Sequence, residues 1–187
     1  AIHTGLYQGS IINLDFHTVP HFGDESVLDR HWAGARGKVM KGALTLFAQD
    51  AQSKLLLYSQ ADIQRAESDD QILAFMDFWS KVWRGVRPTL VFDSRFTTYA
   101  NLSQLNGFGV KFITLRRRSR NMVQAAAREP LSAWRRIELE GVGRIYRTPR
   151  ILDRTIELKG YEGPLREMVI TDLGHEEPTL LITNQLR

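Results

Sequence analysis

Residues 88–101, PTLVFDSRFTTYAN, are the stretch from which the fold is best worked out. Residues 89–92 are a short, apolar, partly β-branched run, typical of a buried strand, and the run ends on the carboxylate Asp93. Because ligands and reacting groups collect at the carboxyl ends of strands in open α/β sheets, Asp93 is the first candidate for chemistry. The alternative is an Asp that begins a turn or caps the following helix.

A second carboxylate interrupts the first strand of the chain. Residues 11–17, IINLDFH, alternate between apolar and polar side chains, which predicts a strand with Asp15 at its centre. Since Asp is depleted from strand interiors, Asp15 breaks a local rule, and such positions are often functional. A solvent-facing Asp on an edge strand is an equally weighted alternative.

The segments around these two strands predict further elements. Two β-rich runs at 43–48 and 55–61 form a hairpin, and residues 18–41 form a polar excursion with at most a short helix at 24–31. Ser68 and Gln71 are a capping-box signature before an apolar repeat that runs to Trp83. Its continuous, one-sided aromatic stripe favours a core face over a base-stacking surface. The polar residues His17, His21, Asp24 and Glu25 lack metal-ligand spacing on a defined element.

The second half of the chain predicts two more helices, a strand and a β-rich region. A helix is predicted over 99–106, a strand over 110–115 and a short helix over 121–128, followed by glycine-punctuated runs of period two. We therefore expect an α/β fold with a mixed sheet and flanking helices, built from a core at 1–119, a β-rich insertion at 120–177 and a return strand at 178–187.

The composition excludes several kinds of site and a membrane-spanning protein. The 187 residues, 43% of them hydrophobic, suit one domain with an insertion, and the absence of cysteine excludes disulfides, zinc–thiolate sites and cysteine nucleophiles. No apolar run approaches the roughly 20 residues of a membrane span, so we predict a soluble, cytoplasmic protein. The chain lacks an initial methionine and stops just after a strand-like run, which suggests a piece of a longer protein.

Basic residues are mostly arginine and unevenly placed. The formal net charge is +4, from 25 Lys and Arg against 21 Asp and Glu. Arg116, Arg117, Arg118 and Arg120 follow a predicted strand near the expected mouth of the site, and arginine suits phosphate well. They are predicted phosphate contacts, with a solvated surface as the alternative.

Asp15 and Asp93 would meet if their strands are neighbours in the sheet. Carboxylate oxygens on rigid strands suit Mg²⁺ or Mn²⁺, and a pair of such ions supports in-line phosphoryl transfer. Two carboxylates do not comfortably hold two divalent ions, so this chemistry calls for a third acid.

These features resemble the RNase H-like catalytic domain of DDE-superfamily transposases from bacterial insertion sequences. The resemblance rests on Asp15 in INLDFH, Asp93 in LVFDSRFTTYANL, the order of elements and the β-rich insertion after the fifth predicted strand. It implies that Asp15 and Asp93 are the first two catalytic, metal-binding acids. The third is a Glu on a helix after the strand that TLLITN matches, which places it beyond Arg187. Glu176 and Glu177 precede that strand and do not match.

The resemblance also implies the reaction and its partners. We expect metal-dependent hydrolysis at transposon ends followed by strand transfer, on double-stranded DNA, by a homodimer in a synaptic complex; this piece alone would be inactive. The competing hypotheses are a non-catalytic nucleic-acid-binding module of the same fold and another RNase H-like nuclease.

Overall fold

The chain folds into two compact units, Ala1–Lys111 and Phe112–Arg187. We analysed a computed structural model, which describes residues 10–23, 27–83, 85–94, 98–140 and 145–186. Strands and helices occur in both units, so the predicted mixed α/β composition is confirmed. Among the described residues, no helix is long and apolar enough to cross a membrane.

The first unit is built on a mixed sheet. Its strands are β1 (Ile11–Pro20), β2 (Arg30–Ala33), β3 (Lys38–Asp50), β4 (Leu56–Gln60) and β5 (Thr89–Phe92), and its helices are α1 (Gln71–Val82) and α2 (Tyr99–Gly107). The strand order is β2-β3-β1-β5, with β4 also on β3. β1 runs antiparallel to β3 and parallel to β5. The predicted change from antiparallel to parallel pairing is therefore present in this unit.

The core of the first unit explains the aromatic stripe of α1. Ile72, Phe75 and Trp79 are at most 1% exposed, and the Trp79 ring stacks on Trp83 with centroids 4.4 Å apart. Trp79 Nε1 also donates a hydrogen bond to the carbonyl oxygen of Val86 at 2.9 Å, so its polar atom is satisfied inside the core. The prediction of a core face is confirmed, and these rings are not available to stack on bases.

The second unit contains an antiparallel sheet. Its elements are β6 (Lys111–Leu115), α3 (Arg120–Ala127), β7 (Trp134–Arg136), β8 (Arg150–Ile156), β9 (Leu165–Thr171) and β10 (Thr179–Thr183). The strand order is β6-β10-β9-β8-β7. Ala126 of α3 is buried with Leu152, Val169 and Leu180 from three of these strands, and this cluster forms a small core. The final strand predicted at TLLIT is confirmed as β10.

Two local predictions were wrong. The excursion at 18–41 is largely β structure, because β1 continues to Pro20 and β2 pairs antiparallel with the beginning of β3. Of the short helix expected at 24–31, residues 24–26 lie outside the described residues, and residues 30 and 31 belong to β2. Ser68 does not cap α1: it lies in a 3₁₀ helix, Arg65–Asp70, and donates to the carbonyl oxygen of Arg65 at 2.9 Å.

Candidate active site

The pairing of β1 with β5 brings the two predicted acids together. The parallel register matches Ile12 with Leu90 and Leu14 with Phe92, and all four side chains are at most 5% exposed. Asp15 follows Leu14 within β1, and Asp93 is the first residue after β5, so the register continued by one residue puts their positions next to each other. If the alternation of side chains also continues by one residue, both carboxylates belong to the face opposite Leu14 and Phe92. Adjacent strands are about 4.8 Å apart, which is close enough for two carboxylates to share a cation.

Asp93 lies at the carboxyl end of β5, as the sequence predicted. It is exposed, and its Oδ1 accepts hydrogen bonds from the backbone N–H of Ser94 and from the Ser94 hydroxyl, the latter at 3.1 Å. One oxygen therefore orders the turn, which is the structural role left open by the sequence. The other oxygen has no hydrogen bond to a described residue. The two roles of Asp93 are compatible.

Asp15 is exposed in the interior of β1, with Phe47 of β3 as its antiparallel partner. β1 lies between β3 and β5, so Asp15 is on a central strand of this sheet, and the edge-strand alternative does not apply. Neither Asp15 nor Asp93 forms an ion pair with any residue in the described part of the chain. Their charges are therefore not neutralised by a neighbouring arginine or lysine there.

The chain after Asp93 is anchored by α2. The Thr98 side chain accepts a hydrogen bond from the N–H of Asn101 and caps the helix. Asn101 is 6% exposed, and its Nδ2 donates to the carbonyl oxygen of Asp69 at 2.9 Å and to Asp70 Oδ1 at 3.0 Å. This amide ties the beginning of α2 to the residues just before α1. Sequence reasoning missed this role, because an Asn in the first turn of a helix gives little sign that it is buried.

The four predicted phosphate contacts have different environments. The Arg116 side chain is largely buried and pairs with Glu167, and Arg118 pairs with exposed Glu177 at 2.7 Å. Arg117 and Arg120 are exposed and form no ion pair with a described residue. Two of the four guanidinium groups are therefore already matched to carboxylates, and Arg117 and Arg120 are the ones available to another anion.

Glu167 is a buried charge that the sequence did not reveal. It lies on β9 and is 0% exposed, with Oε1 accepting from Arg116 and Oε2 from Arg154 Nε at 2.8 Å. A glutamate on a strand is ordinarily expected to face the solvent, and the burial of Glu167 departs from that expectation. A carboxylate between two guanidinium groups is compensated within the protein, so Glu167 is a structural residue.

The second unit also has a surface cavity of about 390 Å³. Its charged lining consists of Asp153, Arg154 and Arg166. Arg166 forms a two-pronged contact with Asp153, at 2.8 and 2.6 Å, and Arg154 is held by Glu167. The cations are matched, so the cavity has no net attraction for an anion. Within the described ranges, no group of three or more His, Asp or Glu side chains could hold a metal ion.

Comparison with known proteins gives a fold likeness. No protein-family model matches the chain, and no curated protein is similar to it. Among solved structures, a piggyBac transposase in a synaptic complex with hairpin DNA is 13% identical, with a TM-score of 0.54, and the match covers 93% of this chain and 33% of that one.

Two endonuclease V structures are also similar at lower scores. The Ciona intestinalis enzyme bound to a 24mer DNA is 6% identical with a TM-score of 0.35, over 91% of this chain and 69% of that one. The human catalytic domain is 13% identical with a TM-score of 0.38, over 91% and 66%. At these scores the endonucleases carry no argument. The likeness to the piggyBac transposase shows the fold alone. This chain is about a third as long as the transposase chain and shares a fold with part of it.

Proposed function

We propose that this chain is part of the RNase H-like catalytic core of a DDE-superfamily transposase of the insertion-sequence type. In this proposal Asp15 and Asp93 are catalytic residues that hold Mg²⁺ or Mn²⁺ for phosphoryl transfer on double-stranded DNA. The observation that supports it is the parallel pairing of β1 with β5, whose register, continued by one residue, puts the positions of Asp15 and Asp93 next to each other in a mixed sheet.

The two carboxylates fit a hard divalent cation. Both are exposed and free of ion pairs with described residues, and Asp93 keeps one oxygen without a hydrogen bond. Mg²⁺ is usually held by one or two carboxylates and completes its octahedron with water and phosphate oxygens. A cation held there would polarise a phosphoryl oxygen and lower the pKa of a bound water. The protein's part is to fix the two carboxylates on neighbouring strands.

A complete site requires a third carboxylate. The resemblance to transposases implies a Glu on a helix that follows the strand matching β10, and the described residues contain no three-acid group. We therefore propose that these 187 residues bind a metal weakly and do not cleave DNA alone. A homodimer in the synaptic complex belongs to the same proposal.

The arginines divide between structural and binding roles in this proposal. Arg117 and Arg120 contact phosphates, because they are exposed and unmatched by described carboxylates. Arg118 contributes once its exposed pair with Glu177 opens, since such pairs are worth at most about 1 kcal/mol. Arg116 acts indirectly, by holding the beginning of this segment against Glu167.

Isothermal titration calorimetry with Mn²⁺ tests the metal site. Wild-type protein is compared with Asp15→Asn and Asp93→Asn, each checked for unchanged circular dichroism, and with Glu67→Gln as a control that removes an exposed carboxylate elsewhere in the first unit. We expect weak binding that both Asn variants abolish and Glu67→Gln retains.

Two outcomes would overturn the proposed metal site. One is the absence of Mn²⁺ binding by the wild type, and the other is binding that survives either Asn substitution. DNA binding without any metal binding would favour the competing function, a non-catalytic nucleic-acid-binding module. Metal binding together with cleavage that lacks any preference for transposon ends, in a longer protein carrying the third acid, would favour another RNase H-like nuclease.

A further inference from the structure

The hairpin formed by β2 and the beginning of β3 is strongly basic. Residues 30–41, RHWAGARGKVMK, contain four of the 25 basic residues and none of the 21 acidic ones. They thus carry a charge equal to the net charge of the whole chain, and the other residues are formally neutral in sum. Burial lowers the pKa of His31, an effect that Asp29 opposes and Arg65 assists, so His31 adds no charge at neutral pH.

Three of the four hairpin cations have no carboxylate partner among the described residues. Arg30, Arg36 and Lys38 are exposed and form no ion pair with a described carboxylate. Arg30 Nη2 donates to the carbonyl oxygen of Val39 at 3.4 Å, and the Arg36 guanidinium lies over the Phe22 ring at 5.4 Å. In the second unit, by contrast, most arginines pair with carboxylates, among them Arg116, Arg118, Arg135, Arg136, Arg150, Arg154 and Arg166. The hairpin is therefore a concentrated source of positive potential.

An apolar pair lies between these cations. Trp32 and Val39 are directly opposite each other in the β2–β3 register, and they are 48% and 50% exposed. Arg30 and Lys41 are the opposed pair two positions away, so all four side chains belong to one face of the hairpin. The other face is packed against the protein, with His31 9% and Ala33 1% exposed. Packing of the unit therefore does not account for the exposed face.

Backbone geometry defines the hairpin as an extension of the sheet. At its base, a Cβ on Gly42 would lie 2.5 Å from the carbonyl oxygen of Val19, so glycine is required where β3 passes the end of β1. At its tip, Gly37 has a φ of 61° and ends the 3₁₀ turn that joins the strands. β3 is continuous from Lys38 to Asp50, so the hairpin belongs to the same strand that pairs with β1.

We propose that this face of the β2–β3 hairpin binds unpaired, single-stranded DNA, with Trp32 stacking on a base and Arg30 and Arg36 contacting phosphates. An exposed aromatic ring between unmatched cations is the arrangement by which proteins bind single strands without sequence preference. The charge excludes a basic partner and disfavours a purely apolar one. The choice of DNA over RNA rests on the proposed function.

Fluorescence anisotropy with a labelled DNA strand of roughly 16 nucleotides, the upper site size of common single-strand binders, tests the hairpin. EDTA is present throughout, so the result does not depend on a metal site, and failure of the metal titration leaves this measurement intact. We expect Trp32→Leu to weaken binding at least about five-fold, the low end of base–aromatic stacking, and Trp32→Phe to recover part of it. Phe108→Leu, another exposed aromatic residue at 59%, is the matched control.

The phosphate contacts are tested by salt dependence. In the double variant Arg30→Gln and Arg36→Gln, the slope of log K against log salt should fall by up to about 1.4, since each single-strand phosphate contact contributes about 0.7. Lys159→Gln, an exposed lysine of the second unit, should leave the slope within about 0.7 of the wild type.

Three results would overturn the proposal: equal affinity of Trp32→Leu and wild type, an unchanged salt slope in the arginine double variant, or tighter binding of a duplex of the same length. A change in sedimentation coefficient on Trp32→Leu without a change in DNA affinity would also overturn it, and would assign the face to a contact between copies of the chain. The double variant Arg30→Gln and Arg36→Gln keeps the proposal testable if Trp32→Leu fails to fold.

Discussion

Replacing Glu167 with glutamine is predicted to destabilise the second unit by several kcal/mol. The carboxylate is 0% exposed and joins three strands, because it lies on β9, accepts from Arg116 at the end of β6 and accepts from Arg154 on β8. Glutamine keeps the size of the side chain but leaves two guanidinium groups without their counter-charge, one of them with a side chain only 15% exposed.

The magnitude follows from the burial of each partner. Removing one member of a buried ion pair costs about 3–5 kcal/mol, most of it from the charge left uncompensated. Arg154 is 27% exposed and keeps Glu129 at 3.5 Å, so its contribution is reduced and the low end, about 3 kcal/mol, is expected. For a chain of this size, that corresponds to a fall in Tm of roughly 6–12 °C.

Thermal unfolding followed by circular dichroism, with amide hydrogen exchange of β8 and β9, measures the effect. The control is Glu177→Gln, which breaks the pair with Arg118, whose side chains are 44% and 63% exposed; it should cost at most about 1 kcal/mol. The double variant Arg116→Met and Glu167→Leu should be more stable than Glu167→Gln, because it removes the stranded charge. Equal stability of Glu167→Gln and the control would refute the reasoning.

Two further predictions concern the second unit. The hydrogen bonds and charge of Arg150 hold the pKa of Asp172 below its ordinary 3.8, so the native state binds fewer protons than the unfolded state and the free energy of unfolding falls as the pH drops below about 4. In urea titrations at several pH values, Asp172→Asn should make this fall at acid pH less steep. An unchanged fall in the variant would contradict the prediction. Tyr161 is 8% exposed and its hydroxyl has no described partner, so Tyr161→Phe should raise stability by up to about 1 kcal/mol in the same assay, whereas a loss above 1 kcal/mol would reveal a hydrogen bond.

The local sequence pattern was sufficient to predict an element whose structure depends on one short segment. Alternation identified β1, the β-branched run identified β5, and the apolar repeat identified α1, because side-chain periodicity reports directly on which face is buried. Asp15 and Asp93 could be singled out for the same reason, since each is a carboxylate out of place in such a pattern. The sequence could not show that the two strands are neighbours.

The hairpin and Glu167 show where local pattern fails. Residues 30–41 contain two glycines and four basic residues, which favours a loop, but pairing with the long strand β3 turns part of them into β2. Glu167 shares a strand face with Leu165 and Val169, both fully buried, and only the arrival of Arg116 and Arg154 from other strands makes burial of its charge tolerable. Ser68 matches a capping signature, but the chain winds through a 3₁₀ turn before α1 begins.

By itself, then, the sequence determined the kinds of elements, most of their positions, the two candidate acids and the overall positive charge. Tertiary structure decided which strands pair. Through that pairing it brought the β1 and β5 segments that precede Asp15 and Asp93 together and matched most arginines of the second unit to carboxylates, whereas Arg30, Arg36 and Lys38 of the hairpin have no carboxylate partner among the described residues. The physical reason is the separation in sequence over which each effect acts. Periodicity and turn chemistry act over a few residues, whereas strand pairing and charge compensation join residues tens of positions apart.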